Sequence, residues 1–302
     1  MKDYNRHFNK DVFTEEDFRL IERSRRSKRA ANIVSIIITA VVVGFVIFPF
    51  IWIVPAAFKE RTDLWNIPPR WLPTTSWTFE SFIEAFKVNR KYNLGKSLIA
   101  TALVAVISTI TSLFVNTLAA YAFARIEFPF KKLIWTLYLI PMFIPGITIL
   151  LTSLQVIDFL AMKNTIFVLF VPSMASAYRT FFFRQFFLSI PSSFEEAAQM
   201  DGCNHFRIYY KIFLPTATTP LIIQGMGVFM AKWNSFMWPA LTITDNVELQ
   251  QVMQVVKIIR ESATNNFGIV IGAALVAMLP PLIIFSVLQK KIVQGITLSG
   301  IK

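Results

Sequence analysis

Hydrophobic positions in this chain come in long blocks and not in the narrow stripes of a soluble amphipathic helix. Charge is absent from residues 30–58, 97–124, 133–157 and 262–289. Each block exceeds the roughly 20 apolar residues that carry a helix across a hydrocarbon core about 30 Å thick. Two further blocks, about 164–183 and 216–241, are each interrupted by one basic residue, Arg179 and Lys232. The pattern predicts an all-α membrane protein with six transmembrane helices and no independent soluble domain. The first block is too long for a cleaved signal peptide and follows a polar tail of about thirty residues, so it is expected to remain.

Prolines sit inside these blocks: Pro49, Pro55, Pro141, Pro145, Pro172, Pro220, Pro280 and Pro281. In the interior of a soluble helix each costs about 3 kcal/mol. A membrane bundle tolerates them where neighbouring side chains or cavity water take up the freed backbone groups. So many predicted kinks favour a transporter or channel over an inert anchor.

Composition changes the picture in two ways. Only 16% of the residues are charged, against about 25% in soluble domains. The 30 Lys and Arg against 18 Asp and Glu give +12, which in a soluble protein would suggest a nucleic-acid surface. Placement decides otherwise. With a cytoplasmic N-terminus, eighteen basic residues fall on inner segments and ten on outer ones, so the excess reads as orientation, with both termini cytoplasmic. The chain then divides into a charged tail, 1–32, and a membrane domain, 33–302. The long outer loop, 59–96, carries Trp65, Pro68, Pro69, Trp71, Pro73 and Trp77, suited to the membrane–water interface. A short helix is expected over 78–86 with Thr78 as its cap.

Catalytic chemistry has almost no material. The single Cys203 excludes an internal disulfide and a Cys-cluster metal site, and there are only two histidines, His7 and His205. Gly95-Lys96-Ser97 looks like the end of a phosphate-binding loop, but Arg90 stands where the first glycine is required. No catalytic residue and no metal ligand is assigned. Gly225, Gly227, Gly268 and Gly272 read as small residues for close helix packing.

The segment 190–215, between the fourth and fifth blocks, is unlike a mere connection. Pro191 ends the preceding helix, Ser192 or Ser193 caps a new one with Glu195 or Glu196 as capping-box partner, and Gly202 stops it. That predicts a helix over 193–201 with Phe194, Ala197 and Ala198 on one side. A second amphipathic piece carries Phe206, Tyr209, Tyr210 and Phe213 and ends at Leu214-Pro215. Cys203 and His205 read as filler.

The spacing Glu196-Ala197-Ala198, Gly202, Ile212, Leu214-Pro215 resembles, at every fixed position, the EAA loop of binding-protein-dependent ABC importer permeases. Leu118 to Arg125 with Phe128-Pro129, Arg184 to Phe187, Trp233-Asn234 with Trp238-Pro239, and Gln294 to Gly300 are similar to the carbohydrate, maltose-type branch. The resemblance covers about 34–302. It implies the type I ABC importer permease fold in a bacterial plasma (inner) membrane. It also implies a non-enzymatic permease subunit for oligosaccharides or polysaccharide fragments, with a non-sugar solute as the alternative. The implied partners are a second homologous permease, two cytoplasmic ATPase subunits that hold ATP and Mg, and an extracellular or periplasmic solute-binding protein. No cofactor is implied for this chain, and no nucleic acid.

Glu195, Glu196, Ala197, Ala198, Asp201, Gly202 and Phe206 would then couple the ATPase to the bundle. Asn116, Tyr121, Trp233 and Asn234 are candidates for the substrate path, because aromatic faces and amides suit sugar rings and hydroxyls. Arg179 is expected near the inner end of its span and Lys232 near the outer end of its own. Snorkelling accounts for such charges, yet intramembrane charge is a functional candidate by default, so both are carried as gating charges. The scarcity of His and Cys suits a subunit that moves a neutral, polar solute.

Overall fold

The computed structural model describes residues 15–66, 70–74, 76–87, 89–263 and 266–299. Residues 1–14 of the charged tail, Pro68 and Pro69 of the outer loop, and the last three residues through Lys302 lie outside the described residues. Contacts divide the chain into two units, Met1–Ala56 and Ala57–Lys302. Among the described residues the first consists of α1 (Glu15–Ala56), which continues through Pro49 and Pro55. Its Ala30–Ala57 stretch is long and apolar enough to cross a membrane.

The second unit is built around α3 (Leu94–Arg125), along which α7 (Ala177–Leu188) and α11 (Thr218–Trp233) pack most extensively. The Asn93 side chain accepts the Lys96 N–H and so caps α3; the Gly95-Lys96-Ser97 run is simply a helix start. The closing helix, α14 (Phe267–Ser299), passes Pro280 and Pro281 without a break. It receives α2 (Glu80–Phe86), α11 and α13 (Val252–Ser262).

Glycine makes the α2–α14 contact close. A Cβ at Gly268 would lie 2.6 Å from Ser81 Oγ, and one at Gly272 would lie 3.2 Å from the Ser81 backbone. Gly225 meets Leu113 on α3 in the same way, whereas Gly227 faces open space. α2 begins two residues later than expected, with the Glu80 N–H donating to Thr78 Oγ1 at 3.1 Å. Nearby, Asp63 gathers the outer loop by accepting from the Thr74 hydroxyl, the Thr74 N–H and the Asn66 amide. Those hydrogen bonds, the Thr74 hydroxyl foremost, hold its carboxyl below the ordinary carboxylate range.

Of the six expected spans, three are single helices (α1, α3 and α14) and three are bent pairs. The third block divides into α4 (Lys131–Leu139) with a 3₁₀ turn after it, and α5 (Gly146–Phe159), at 106° to one another. Pro141 and Pro145 flank that corner. The fourth divides at Pro172 into α6 (Ile166–Phe170) with its turn, and α7, at 46°. The fifth opens at an 80° bend between the segment His205–Thr216 and α11, and resumes after Trp233 as α12 (Met237–Thr242). The described residues contain no strand.

Candidate coupling site

The predicted coupling helix is α8 (Ser193–Met200). Its end is a Schellman motif: the Gly202 N–H reaches the Gln199 carbonyl and the Cys203 N–H reaches the Ala198 carbonyl, both at 2.9 Å. Gly202 sits at φ +75°, where only glycine escapes a Cβ penalty. Its start differs from expectation. Ser192 is already helical (φ −62°, ψ −27°) and no side chain caps α8, because a capping hydroxyl needs the extended backbone that an N-cap normally has. The capping box with Glu195 or Glu196 is therefore not formed.

The faces of α8 also differ from expectation. Glu196, Ala197, Asp201 and Gly202 are exposed, together with Phe194 (57%) and Met200 (90%). Ala198 does not share that face. It turns inward with Glu195, three residues away on the same side of the helix, and packs with Tyr209, Phe213, Phe183 and Phe187. Asn204 caps α9 (His205–Ile208) by accepting the Arg207 N–H. A π-helical stretch, Tyr209–Phe213, and α10 (Leu214–Thr216) follow. Tyr209 and Phe213 are buried, while Phe206 and Tyr210 remain exposed. Phe194, Glu196, Ala197, Met200, Asp201 and Phe206 are thus left exposed on a firmly seated support.

That support comes from α3. Thr117, Tyr121 and Arg125, spaced four apart and thus on one helix face, each hold the loop. Thr117 Oγ1 lies 2.8 Å from the Tyr209 hydroxyl, and the Tyr121 hydroxyl lies 3.4 Å from His205 Nδ1. Arg125 does most. It donates to the Phe187 carbonyl at 2.6 Å and to the Ile190 carbonyl, and its guanidinium stands 5.0 Å over the Phe213 ring. Its ion pair with Glu195, at 3.8 Å, is nearly enclosed on both sides. His205 Nδ1 approaches the same carboxylate at 3.9 Å, so it is a contact of the loop and not filler.

Asn116, one turn before Ala120 on α3, performs a related task at the Pro172 break. Pro172 has no N–H to return to the Val168 carbonyl, and the Trp238 indole N–H donates to it instead, at 2.8 Å. Lys232 Nζ takes the Leu169 carbonyl at 2.7 Å and Arg179 takes that of Ser173 at 3.2 Å. The Asn116 amide donates to Met174 and accepts from the Ser176 N–H and the Thr180 hydroxyl. Asn116 is completely buried with its polar atoms committed to backbone groups and to the Ser112 and Thr180 hydroxyls. Arg179 and Lys232 thus do not stand at opposite membrane ends, as the sequence suggested. Both converge on the carbonyls that the break sets free.

The remaining path candidates separate. Tyr121 belongs to the coupling support, and Trp233 is core, stacked on Phe229 with its indole N–H on the Ala277 carbonyl at 2.9 Å. Asn234 is exposed and lines a cavity of about 410 Å³ with Phe236, Lys257 and Arg260. Arg125 is not among the coupling residues that the sequence singles out. The single signal for its role was its position four and eight residues after Tyr121 and Thr117.

Residues 116–298 match the family model described as the binding-protein-dependent transport system inner membrane component. The chain belongs to this family. It is accordingly a permease subunit of an ABC transporter, a multi-pass membrane protein that moves solute and is not an enzyme. Such permeases work in general with an ATPase and a solute-binding protein. The permease is similar to the probable ABC transporter permease protein YurM of Bacillus subtilis (strain 168), 30% identical over 263 residues that span 84% of this chain and 83% of the relative. It is similar also to the arabinooligosaccharides transport system permease protein AraQ of Halalkalibacterium halodurans, 26% identical over 85% of this chain and 91% of that one. In fold it matches a chain in the crystal structure of a bacterial ABC transporter involved in import of the acidic polysaccharide alginate. That match has a TM-score of 0.74 at 20% identity, over 88% of this permease and 97% of that chain.

Proposed function

We propose that this permease imports an oligosaccharide or polysaccharide fragment across a bacterial plasma membrane, paired with a second, non-identical permease. The exposed patch of α8 and Phe206 docks into a groove on a cytoplasmic ATPase subunit, which holds the ATP and Mg. The observation that carries this reading is the contrast within α8. Glu196, Ala197, Met200 and Asp201 are free for a partner, while Glu195 and Ala198 lock the same helix to α3 and the adjoining core. A helix held this firmly on one side transmits displacement as a lever. ATPase closure pushes α8, α8 pulls α3 through Arg125, and the cavity side of the bundle changes its access. The saccharide assignment is supported by the named cargo of the similar AraQ.

The test uses cells that carry the complete transporter. Glu196→Lys or Gly202→Pro is expected to abolish uptake of labelled oligosaccharide while the permease still reaches the membrane. It is also expected to abolish co-purification of the ATPase. Normal uptake and ATPase retention in both variants would overturn the coupling assignment.

A further inference from the structure

Among the described residues, the Pro172 break is a cationic place with no counter-charge. Lys232 spends one of its N–H groups on the Leu169 carbonyl, and Arg179 Nε, like Arg125 Nε, is buried with no hydrogen-bond partner. Among the described residues neither forms an ion pair with a carboxylate, and the two positive charges act on each other. Lys232 also lines a cavity of about 250 Å³ together with Gly146, Ser153, Ser173 and Trp238. A second cavity, about 310 Å³, shares Ser153, Pro172 and Trp238 with the first and is otherwise mostly apolar. The Trp238 indole, which lines both, is fixed by its hydrogen bond to the Val168 carbonyl.

Satisfying two freed carbonyls requires only hydroxyls or amides, as Asn116 and Ser173 show at the same break. Two cations there leave an excess of positive charge inside a membrane bundle, and intramembrane charge is a marker of substrate and ion pathways. We propose that this break is an anion subsite on the transport path, taking the carboxylate or phosphate group of the transported saccharide. Lys232 contacts the anion from the cavity wall. Arg179 supports it from behind Ser173, and the sugar ring lies along Trp238 toward the apolar cavity. This rests on the saccharide reading above and replaces the expected neutral solute with an acidic one.

The experiment measures equilibrium binding to the assembled transporter in phosphatidylcholine nanodiscs. Its probes are trigalacturonate as the acidic trisaccharide and maltotriose as the neutral one. Wild type is expected to bind trigalacturonate at least tenfold more tightly than maltotriose. Lys232→Met should weaken trigalacturonate at least tenfold and leave maltotriose unchanged, while Lys232→Arg keeps most of the affinity. Should Lys232→Met fail to assemble, Ser153→Phe fills the cavity from another wall and is expected to show the same loss. Trigalacturonate binding that ignores both variants overturns the subsite, as does a preference for maltotriose in wild type; either leaves the saccharide reading standing. Failure of both probes to bind or to stimulate ATP hydrolysis overturns the saccharide reading itself. A phosphatidylglycerol molecule retained by wild type in native mass spectrometry, lost in Lys232→Met and not displaced by trigalacturonate, assigns the anion to lipid and also overturns the proposal.

Discussion

Two arginines in this permease do the same local job in opposite electrostatic settings. Arg125 and Arg179 both donate to main-chain carbonyls where a helix ends or breaks. At Arg125 a carboxylate, Glu195, arrives from the coupling loop and the charge is balanced. At Arg179 the next charged neighbour is Lys232, and no carboxylate balances the pair among the described residues. The same hydrogen-bonding device thus gives a closed joint in one place and an open one in the other. A closed joint transmits force; an open joint leaves an electrostatic vacancy for a ligand.

Removing the cation from the closed joint is the largest perturbation. Arg125→Met leaves Glu195 buried beside His205 and frees the Phe187 and Ile190 carbonyls. Loss of one partner of a buried pair costs about 3–5 kcal/mol. Expected are a clearly lowered melting temperature in detergent and uptake lost in proportion to ATPase coupling. Arg125→Met combined with Glu195→Gln should regain part of the stability and none of the transport. If the double variant melts no higher than the single one, the carboxylate is not what the arginine balances.

Asn116→Ala perturbs the open joint more gently. It strands the Met174 carbonyl and the Ser176 N–H, while Thr180 keeps Tyr138 at 2.9 Å. Orphaned buried polar groups cost about 1–3 kcal/mol. The expected result is a smaller drop in melting temperature than for Arg125→Met, with the ATPase still bound. Loss of ATPase binding in Asn116→Ala would show that the two joints are not independent.

The difference between the joints also explains what was legible in the sequence. Charge-free blocks announce spans because hydrocarbon excludes charge locally; four blocks were readable that way, and two more in spite of Arg179 and Lys232, with three of the six taking shape as bent pairs. Pro172 announced a break, since a missing N–H is a property of one residue. The coupling helix was readable from Pro191 to Gly202 because its stop is written locally in a glycine that must take positive φ. Its orientation was not. Glu195 faces inward because Arg125 waits for it, and these residues are far apart in sequence. Likewise Lys232 and Arg179 looked like residues of opposite membrane ends, because their common target, the Leu169–Ser173 carbonyls, exists only once the helix has broken. Asn116 and Trp233 carried the chemistry of sugar contacts, yet burial committed both to backbone carbonyls.

The mildest test converts the open joint into a closed one. Ser153 lines the same cavity as Lys232, so Ser153→Asp offers the carboxylate that Arg125 has and Lys232 lacks. A partly exposed ion pair contributes up to about 1 kcal/mol, and screening by salt should reduce it. The expected outcome is a melting temperature slightly above wild type at low salt, converging with it at high salt. Trigalacturonate binding should fall at the same time, because the new carboxylate occupies the place of the ligand's own. Stability and binding therefore move in opposite directions, which damage to the fold would not produce. A Ser153→Asp variant that loses stability while binding trigalacturonate normally would mean that Lys232 is already balanced. The contrast between the two arginines would then disappear.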